Sequence, residues 1–447
     1  MNSRNKLATL ALFAGDILAL YVTLFAVLIL RYGGDFYNQF IDLHFLPFTI
    51  IFALWVVIFY VAGLYDLRHQ RNNLDFIKNL GLTLFINAAF AVFFFYLIPT
   101  FGITPKTNLF LVIVIFAVIE IFWRRAFNKF AASGEAPNRV LLVGNSHTAT
   151  ANEIEKVIKS NPQLGYEIKA RFSEEEANSS PRALKELANE NGVNLVVIPR
   201  HLKYNSSLTE KLYELLTLGI EIHDLTNFYE LIIKKVPLAD LEETWFLENL
   251  INRKKFYDQL KRASEFLAAL LLFVVLLPIE ALIAVIIKIT SPGPAIYKQT
   301  RVGENGRSFV FYKFRTMPVD AEKDGAKWAA REDKRATAFG RFLRHTHLDE
   351  LPQLINIMKG DLSFVGPRPE RPEFVKILRE QIPYYETRLL VRPGVTGWAQ
   401  INYHKDLTTE DVKEKMQYDI YYIKNRSFVL DMAIILKTLK SLFITPK

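Results

Sequence analysis

An acidic pair, Asp349-Glu350, lies among cations within 337–373: Arg341 and Arg344 precede it, and Lys359, Arg368 and Arg371 follow. An ionised carboxylate ringed by arginines can attack a phosphorus that those arginines hold and neutralise. The spacing predicts that the pair opens a short helix. Thr346 is the expected N-cap and Pro352 suits the first turn, while Leu351, Leu354, Ile355 and Met358 recur at helical spacing before Gly360 ends it. In that position the positive end of the helix dipole favours the ionised acids. The same residues also spell an ordinary capping box, Thr346-x-x-Asp349, with Glu350 as a solvated surface acid. Upstream, alternation puts Lys313 and Arg315 on one face of an extended segment. Two cations there can grip a diphosphate or line a solvated edge.

The elements around these residues read as a membrane protein. The chain has 447 residues, is 51% hydrophobic and carries a net charge of +9. Its apolar residues arrive in long blocks, which favours basic faces beside a membrane over a nucleic-acid partner. There is no cysteine, so disulfides, thiol catalysis and Cys-based metal sites are excluded. Four blocks, 7–30, 46–64, 80–98 and 109–122, are each long enough to span a bilayer. Arg4, Lys6, Arg68, Arg71, Lys78, Arg124, Arg125 and Lys129 cluster at alternate ends, which predicts a four-helix bundle over 1–130 with both termini in the cytosol. Asp16 and Glu120 fall in or near these spans and are expected to face a neighbouring helix, the headgroups or a function.

Over 138–240, strands predicted at 139–144, 166–172, 194–199 and 221–225 alternate with helices at 149–160, 183–191 and 208–216. That order predicts a doubly wound parallel α/β unit, Rossmann-like and cytosolic. Its first turn, Gly144-Asn-Ser-His147, lacks the glycines that let a backbone approach a pyrophosphate, so a structural or regulatory module is expected. A further apolar block, 264–287, is interrupted by Pro278 and Glu280 and has basic residues on both flanks. A crossing there would place the dense Lys and Arg of 298–344 outside, so the expectation is a helix bent at Pro278 that enters the inner leaflet and returns. Strand-like pieces follow on either side of Glu304-Asn-Gly306, then a charged stretch at 320–334. Two amphipathic helices, 412–422 and 428–443, close the chain, with Ser427 as the cap of the second.

Over 254–442 the sequence resembles a large-form, monotopic-superfamily polyprenyl-phosphate phosphoglycosyl transferase, a bacterial sugar transferase. The resemblance rests on an ordered set: Gln299-x-Arg301-x-Gly303, Lys313-Phe-Arg315-Thr-Met317, Arg341-Phe-Leu-Arg344, Leu348-Asp349-Glu350-Leu-Pro-Gln353, Gly360-Asp361-x-Ser363, Val365-Gly366-Pro-Arg368-Pro-Glu370, Arg392-Pro-Gly-Val-Thr-Gly397 and Tyr418-Asp419-x-x-Tyr422-Ile423. It implies a mostly α catalytic domain over 254–447 with a re-entrant membrane helix, on the cytosolic face of a bacterial inner membrane. It also implies transfer of a sugar-1-phosphate from a UDP-sugar to undecaprenyl phosphate, with release of UMP. By that resemblance Asp349 is the nucleophile, and Glu350 helps hold Mg²⁺ or tunes the attack. Lys313, Arg315, Arg341, Arg344, Arg368 and Arg392 are the phosphate-gripping candidates, with Glu370 and Gln400 as further contacts. Membrane lipids are expected partners, and a homodimer is compatible with the layout.

Two other classes compete. A membrane-anchored nucleotide-sugar epimerase or dehydratase needs a Gly-rich turn and a Tyr-x-x-x-Lys pair; the turn is missing, and Tyr166-Glu-Ile-Lys169 has the wrong spacing. A non-catalytic scaffold of a polysaccharide assembly complex predicts that Asp349→Asn leaves the cellular role intact.

Overall fold

In the computed structural model, which describes residues 3–65, 74–97, 106–133, 137–144, 149–204, 206–241, 243–250, 254–318, 335–403 and 408–444, the chain opens with four long helices. These are α1 (Ser3–Tyr32), α2 (Phe45–Val61), α3 (Leu74–Leu97) and α4 (Lys106–Ser133). Leu20, Leu24, Trp55, Phe59 and Phe116 are buried between them, yet Leu18, Phe85, Phe93, Phe110 and Phe122 point outward. Helices apolar on both faces need an apolar surrounding. Among the described residues three helical stretches are long and apolar enough to cross a membrane: Leu7–Tyr60, which holds both α1 and α2, Phe76–Phe95 and Lys255–Thr290. The fourth expected block lies in α4, which also carries Glu120, Arg124 and Arg125. Asp16 and Glu120 do face a neighbouring helix, because they share one buried cation. Arg124 Nε donates to Glu120 Oε1 at 2.7 Å, its Nη1 donates to the Leu64 carbonyl at 2.6 Å, and its Nη2 bonds Asp16 Oδ2. Arg68, Arg71 and the turn at 145–148 lie outside the described residues.

The α/β part has the expected parallel sheet, in the order β2-β1-β3-β4, from β1 (Asn138–Val143), β2 (Tyr166–Phe172), β3 (Leu195–Ile198) and β4 (Glu221–Asp224). Strand alternation accounts for both covered faces. Val140 and Leu142 pack with Ile154 and Ile158 of α5 (Ala149–Ser160). Leu141 and Val143 pack with Leu184 of α6 (Pro181–Glu190) and Leu208 and Leu212 of α7 (Ser206–Thr217). Helix α8 (Leu225–Ile233) ends the first of two compact units, Met1–Ile233 and Lys234–Lys447. The second unit therefore starts earlier than the expected 254. Val236, Trp245 and Phe246 join its core, and the Val236 N–H donates to the Gln417 carbonyl at 3.1 Å.

In the second unit α9 (Lys255–Thr290) continues as one helix through Pro278. Its 36 residues extend about 54 Å at the usual rise. Leu267, Leu271, Val274, Val275 and Leu282 are exposed along it. Toward one end Lys261 donates to the Val365 carbonyl and lies 2.9 Å from Asp431, in the middle Ala269 packs with Phe311, Leu354 and Ile357, and toward the other end Ile283 and Ile287 pack with Phe314 and Leu343. Both ends thus rest on the same small domain. Next comes an antiparallel hairpin, β5 (Ile296–Val302) and β6 (Ser308–Phe314), whose turn uses left-handed backbone at Asn305 and Gly306. Then follow α10 (Ala338–Thr346), α11 (Gln353–Lys359), β7 (Ser363–Val365), α12 (Pro372–Gln381), β8 (Gly394–Thr396), α13 (Thr409–Asn425) and α14 (Phe428–Ile444). Strands β7 and β8 form a two-residue parallel ladder. Ser427 caps α14 through the Leu430 N–H at 3.3 Å. The inner faces of α13 and α14 enter the core at Met416, Ile420, Ile423 and Ile434, while Phe428, Val429 and Met432 stay exposed. The stretch at 320–334 lies outside the described residues.

Candidate active site

The acidic pair is presented by a turn between two helices, not by the first turn of one. Thr337 caps α10 by accepting the Gly340 N–H at 2.9 Å. A Cβ on Gly340 would lie 2.0 Å from the Thr316 carbonyl, so only glycine lets α10 lie this close to the chain leaving β6. Thr346 is the last residue of α10, and its hydroxyl donates back to the Phe342 carbonyl at 2.9 Å. The expected N-cap and the capping box with Asp349 therefore do not form: a threonine that bonds its own preceding turn continues that helix. His347 then adopts left-handed backbone (φ 55°), which breaks the helix and starts the 3₁₀ turn Leu348–Glu350. Leu348 and Leu351 pack beside Ile283, Phe314 and Leu343, anchoring the turn from below. Helix α11 begins only at Gln353, after Pro352, and ends as expected at Gly360 (φ 83°). Asn356 pins it to β6, accepting the Tyr312 N–H at 3.1 Å and donating to the Val310 carbonyl at 2.7 Å.

Lys313 comes off β6 directly onto the pair. Its Nζ lies 2.6 Å from Glu350 Oε1 and 3.8 Å from Asp349 Oδ2. The two acids are pushed apart in acidity. Burial raises the Asp349 carboxyl above its ordinary range, with Lys313 pulling the other way and the Glu350 charge adding to the rise. Burial would also raise Glu350, but Lys313 and Arg368 outweigh it and hold this acid at about 2. Arg344, whose Nε donates to Thr316 Oγ1 at 3.0 Å, adds positive potential at Asp349. Adjacent acids with separated affinities for protons can take different roles, one reactive and one a fixed charge.

The remaining expected residues divide. Arg368 is exposed and acts on Glu350 through its charge. Arg341 is exposed too, with Nη1 donating to the Ala336 carbonyl at 2.9 Å. Arg315 does not share a face with Lys313 at the acids. It is buried, and its guanidinium donates to the Pro292 and Ser291 carbonyls at 2.8 and 2.6 Å, bracing the turn that follows α9. Alternation fails here because Arg315 lies just beyond the end of β6. Glu370 lies 3.7 Å from Arg301, and Arg392 lies 3.4 Å from Glu265 of α9. Gln400 donates to the Val395 carbonyl at 3.1 Å, while its buried Oε1 has no hydrogen-bond partner among the described residues. Pro278 lies inside α9.

Sequence reading missed the polar groups that hold these parts. Lys261, buried on α9, donates to the Val365 carbonyl and the Tyr422 hydroxyl, both at 2.8 Å, and lies 2.9 Å from Asp431. Glu265 accepts from Ser363 Oγ at 2.5 Å and the Phe364 N–H at 3.1 Å. Arg388, also buried, lies 3.1 Å from Asp419. The i, i+4 spacing of Lys261 and Glu265 where the apolar block begins was the one available signal for them; nothing local marks Arg388.

The family model of the bacterial sugar transferases matches residues 256–445. The chain is 38% identical over 223 residues to the UDP-N-acetylgalactosamine-undecaprenyl-phosphate N-acetylgalactosaminephosphotransferase of Aeromonas hydrophila, covering 50% of this chain and 52% of that one. It thus spans about half the length of that relative. It is 47% identical over 133 residues to a putative undecaprenyl-phosphate N-acetylgalactosaminyl 1-phosphate transferase of Bacillus subtilis, covering 30% of this chain and 74% of that protein. Over 446 residues and 94% of both chains it is 26% identical to the UDP-glucose:undecaprenyl-phosphate glucose-1-phosphate transferase of Klebsiella pneumoniae. With the turn that presents Asp349-Glu350 lying inside the matched region, the chain belongs to the bacterial sugar transferase family.

Proposed function

We propose that this chain transfers a sugar-1-phosphate from a UDP-sugar to undecaprenyl phosphate, releasing UMP and forming the undecaprenyl-diphospho-sugar. The observation that carries the reading is the split acid pair under cations, in a family whose matched members are named for this transfer. Asp349 attacks the sugar-proximal phosphorus, the bond to the UMP oxygen breaks, and a phosphosugar-aspartyl intermediate forms. An oxygen of the lipid phosphate then attacks the same phosphorus and returns Asp349 as a carboxylate. Phosphoryl transfer asks mainly for positioning and charge neutralisation. Lys313, Arg344 and Arg368 supply the charge around the pair.

Mg²⁺ fits the donors present. It is commonly held through one or two carboxylates plus substrate phosphates, and among the described residues no larger group of His, Asp or Glu converges. Asp349 and Glu350 would hold it, and when bound it would neutralise phosphate charge. We place the domain on the cytosolic face of the inner membrane, at the first membrane step of an exopolysaccharide, capsule or O-antigen, with four N-terminal crossings and α9 as a re-entrant helix. Support for the last point is that α9 rests on one domain toward both ends, through Tyr257 and Lys261 at one and Ile283 and Ile287 at the other, whereas a crossing helix has its ends on opposite sides. The intermediate is tested by incubating the purified protein with a UDP-sugar labelled in the sugar and no lipid acceptor. Label retained on the denatured protein, lost in Asp349→Asn and chased off by undecaprenyl phosphate, is expected. Product formation with no retained label under any quench condition would favour direct displacement.

A further inference from the structure

The stretch Pro367-Arg368-Pro369-Glu370 exposes the Arg368 side chain on a backbone whose four consecutive carbonyls all accept hydrogen bonds. The Gly394 N–H donates to the Pro367 carbonyl and the Val302 N–H to that of Glu370, both at 2.9 Å. Between them, side chains take over: Arg388 Nη2 donates to the Arg368 carbonyl at 3.1 Å, and Arg301 Nη1 donates to the Pro369 carbonyl at 2.9 Å. Two prolines fix φ on either side of Arg368 and remove two donors. At one end of the stretch β7 and β8 cross so closely that a Cβ on Gly394 would meet the Gly366 nitrogen at 2.0 Å.

Both clamping guanidiniums are compensated. Arg388 lies 3.1 Å from Asp419 and donates from Nη1 to the Tyr385 hydroxyl at 2.9 Å; Arg301 lies 3.7 Å from Glu370. A buried cation is costly unless it is paired and its hydrogen bonds are met. Here those bonds converge on the backbone of one loop, whose exposed side chain, Arg368, contributes positive charge at Glu350.

We infer that Arg388, oriented by Asp419, and Arg301 are positioning residues that fix where the Arg368 guanidinium stands relative to Glu350 and the transferring phosphate. The inference rests on the proposed transfer, since that reading puts a phosphate within reach of Arg368. A lysine cannot replace Arg388, because one ammonium cannot match the fork that serves Tyr385, the Arg368 carbonyl and Asp419 together.

The test uses the full-length protein. Arg388→Lys is expected to lower kcat/KM for UMP release by roughly tenfold or more, as small misplacements do. In an Arg368→Lys background the same change is expected to cost less than about threefold, since residues acting through one another are not additive. Equal losses in both backgrounds, or full activity in Arg388→Lys, would overturn the inference. Tyr385→Phe, a milder variant, is put through the same cycle in case Arg388→Lys fails to fold. Amide hydrogen exchange gives a readout free of activity and so separates failure of the clamp from failure of the proposed transfer. The Gly394 and Val302 amides are expected to exchange faster in Arg388→Lys or Tyr385→Phe; unchanged exchange in the folded variant would contradict the clamp.

Discussion

Asp349 is buried with its proton affinity raised, and that sets two opposed expectations. The native state prefers the protonated acid, so stability from this group is present below its ordinary value and is lost as pH rises through the raised one. At neutral pH Asp349→Asn removes an unfavourable buried charge, and a thermal melt is expected to show an unchanged or higher Tm with no transfer activity. The acid limb of the rate profile is expected above the usual aspartate range, because attack needs the carboxylate. Lys313→Met should move that limb further up, since Lys313 opposes the rise at Asp349; an unmoved limb would mean that another group titrates. At this scale motif and alternation singled out Asp349, Glu350 and Lys313, but that Lys313 lies against both acids emerges only from the fold. The destination of Arg315 was not, because it depends on two carbonyls that only the turn after α9 brings near.

The elements hold the turn through a few polar pins. Asn356, fully buried, satisfies one N–H and one carbonyl of β6. Asn356→Leu orphans both, which should cost about 1–3 kcal/mol for each group left unpaired, measurable by chemical denaturation; a loss under 0.5 kcal/mol would show that β6 and α11 do not depend on it. In the N-terminal bundle Arg124→Met leaves Asp16 and Glu120 buried together without their cation. A loss of about 3–5 kcal/mol is expected for breaking such a cluster, read as a lower Tm in detergent. Helix and strand placement in the α/β part followed from alternation and spacing, since strands covered on both faces and amphipathic helices leave plain periods. The acidic turn did not, because a left-handed histidine carries no sequence signal and Thr346 can either cap or continue a helix.

At the scale of the whole chain, the proposed layout turns on α9. The protein has no cysteine, so single cysteines can be placed at will. Lys255→Cys and Lys298→Cys, near the two ends of α9, should both react with an impermeant thiol reagent from the same side of sealed vesicles. Labelling from opposite sides would make α9 a crossing helix. Long apolar blocks announced a membrane protein; whether one of them returns was argued from flanking charge and the break at Pro278, and contacts toward both its ends with one domain add an independent reason. The role of the α/β sheet was not legible, because its first turn carries no ligand signature. The most direct test of the account is the nucleotide released when the purified protein, with Mg²⁺ and undecaprenyl phosphate, consumes a panel of UDP-sugars. Phosphosugar transfer predicts UMP from the wild type and none from Asp349→Asn; release of UDP, or UMP undiminished in the variant, would contradict it.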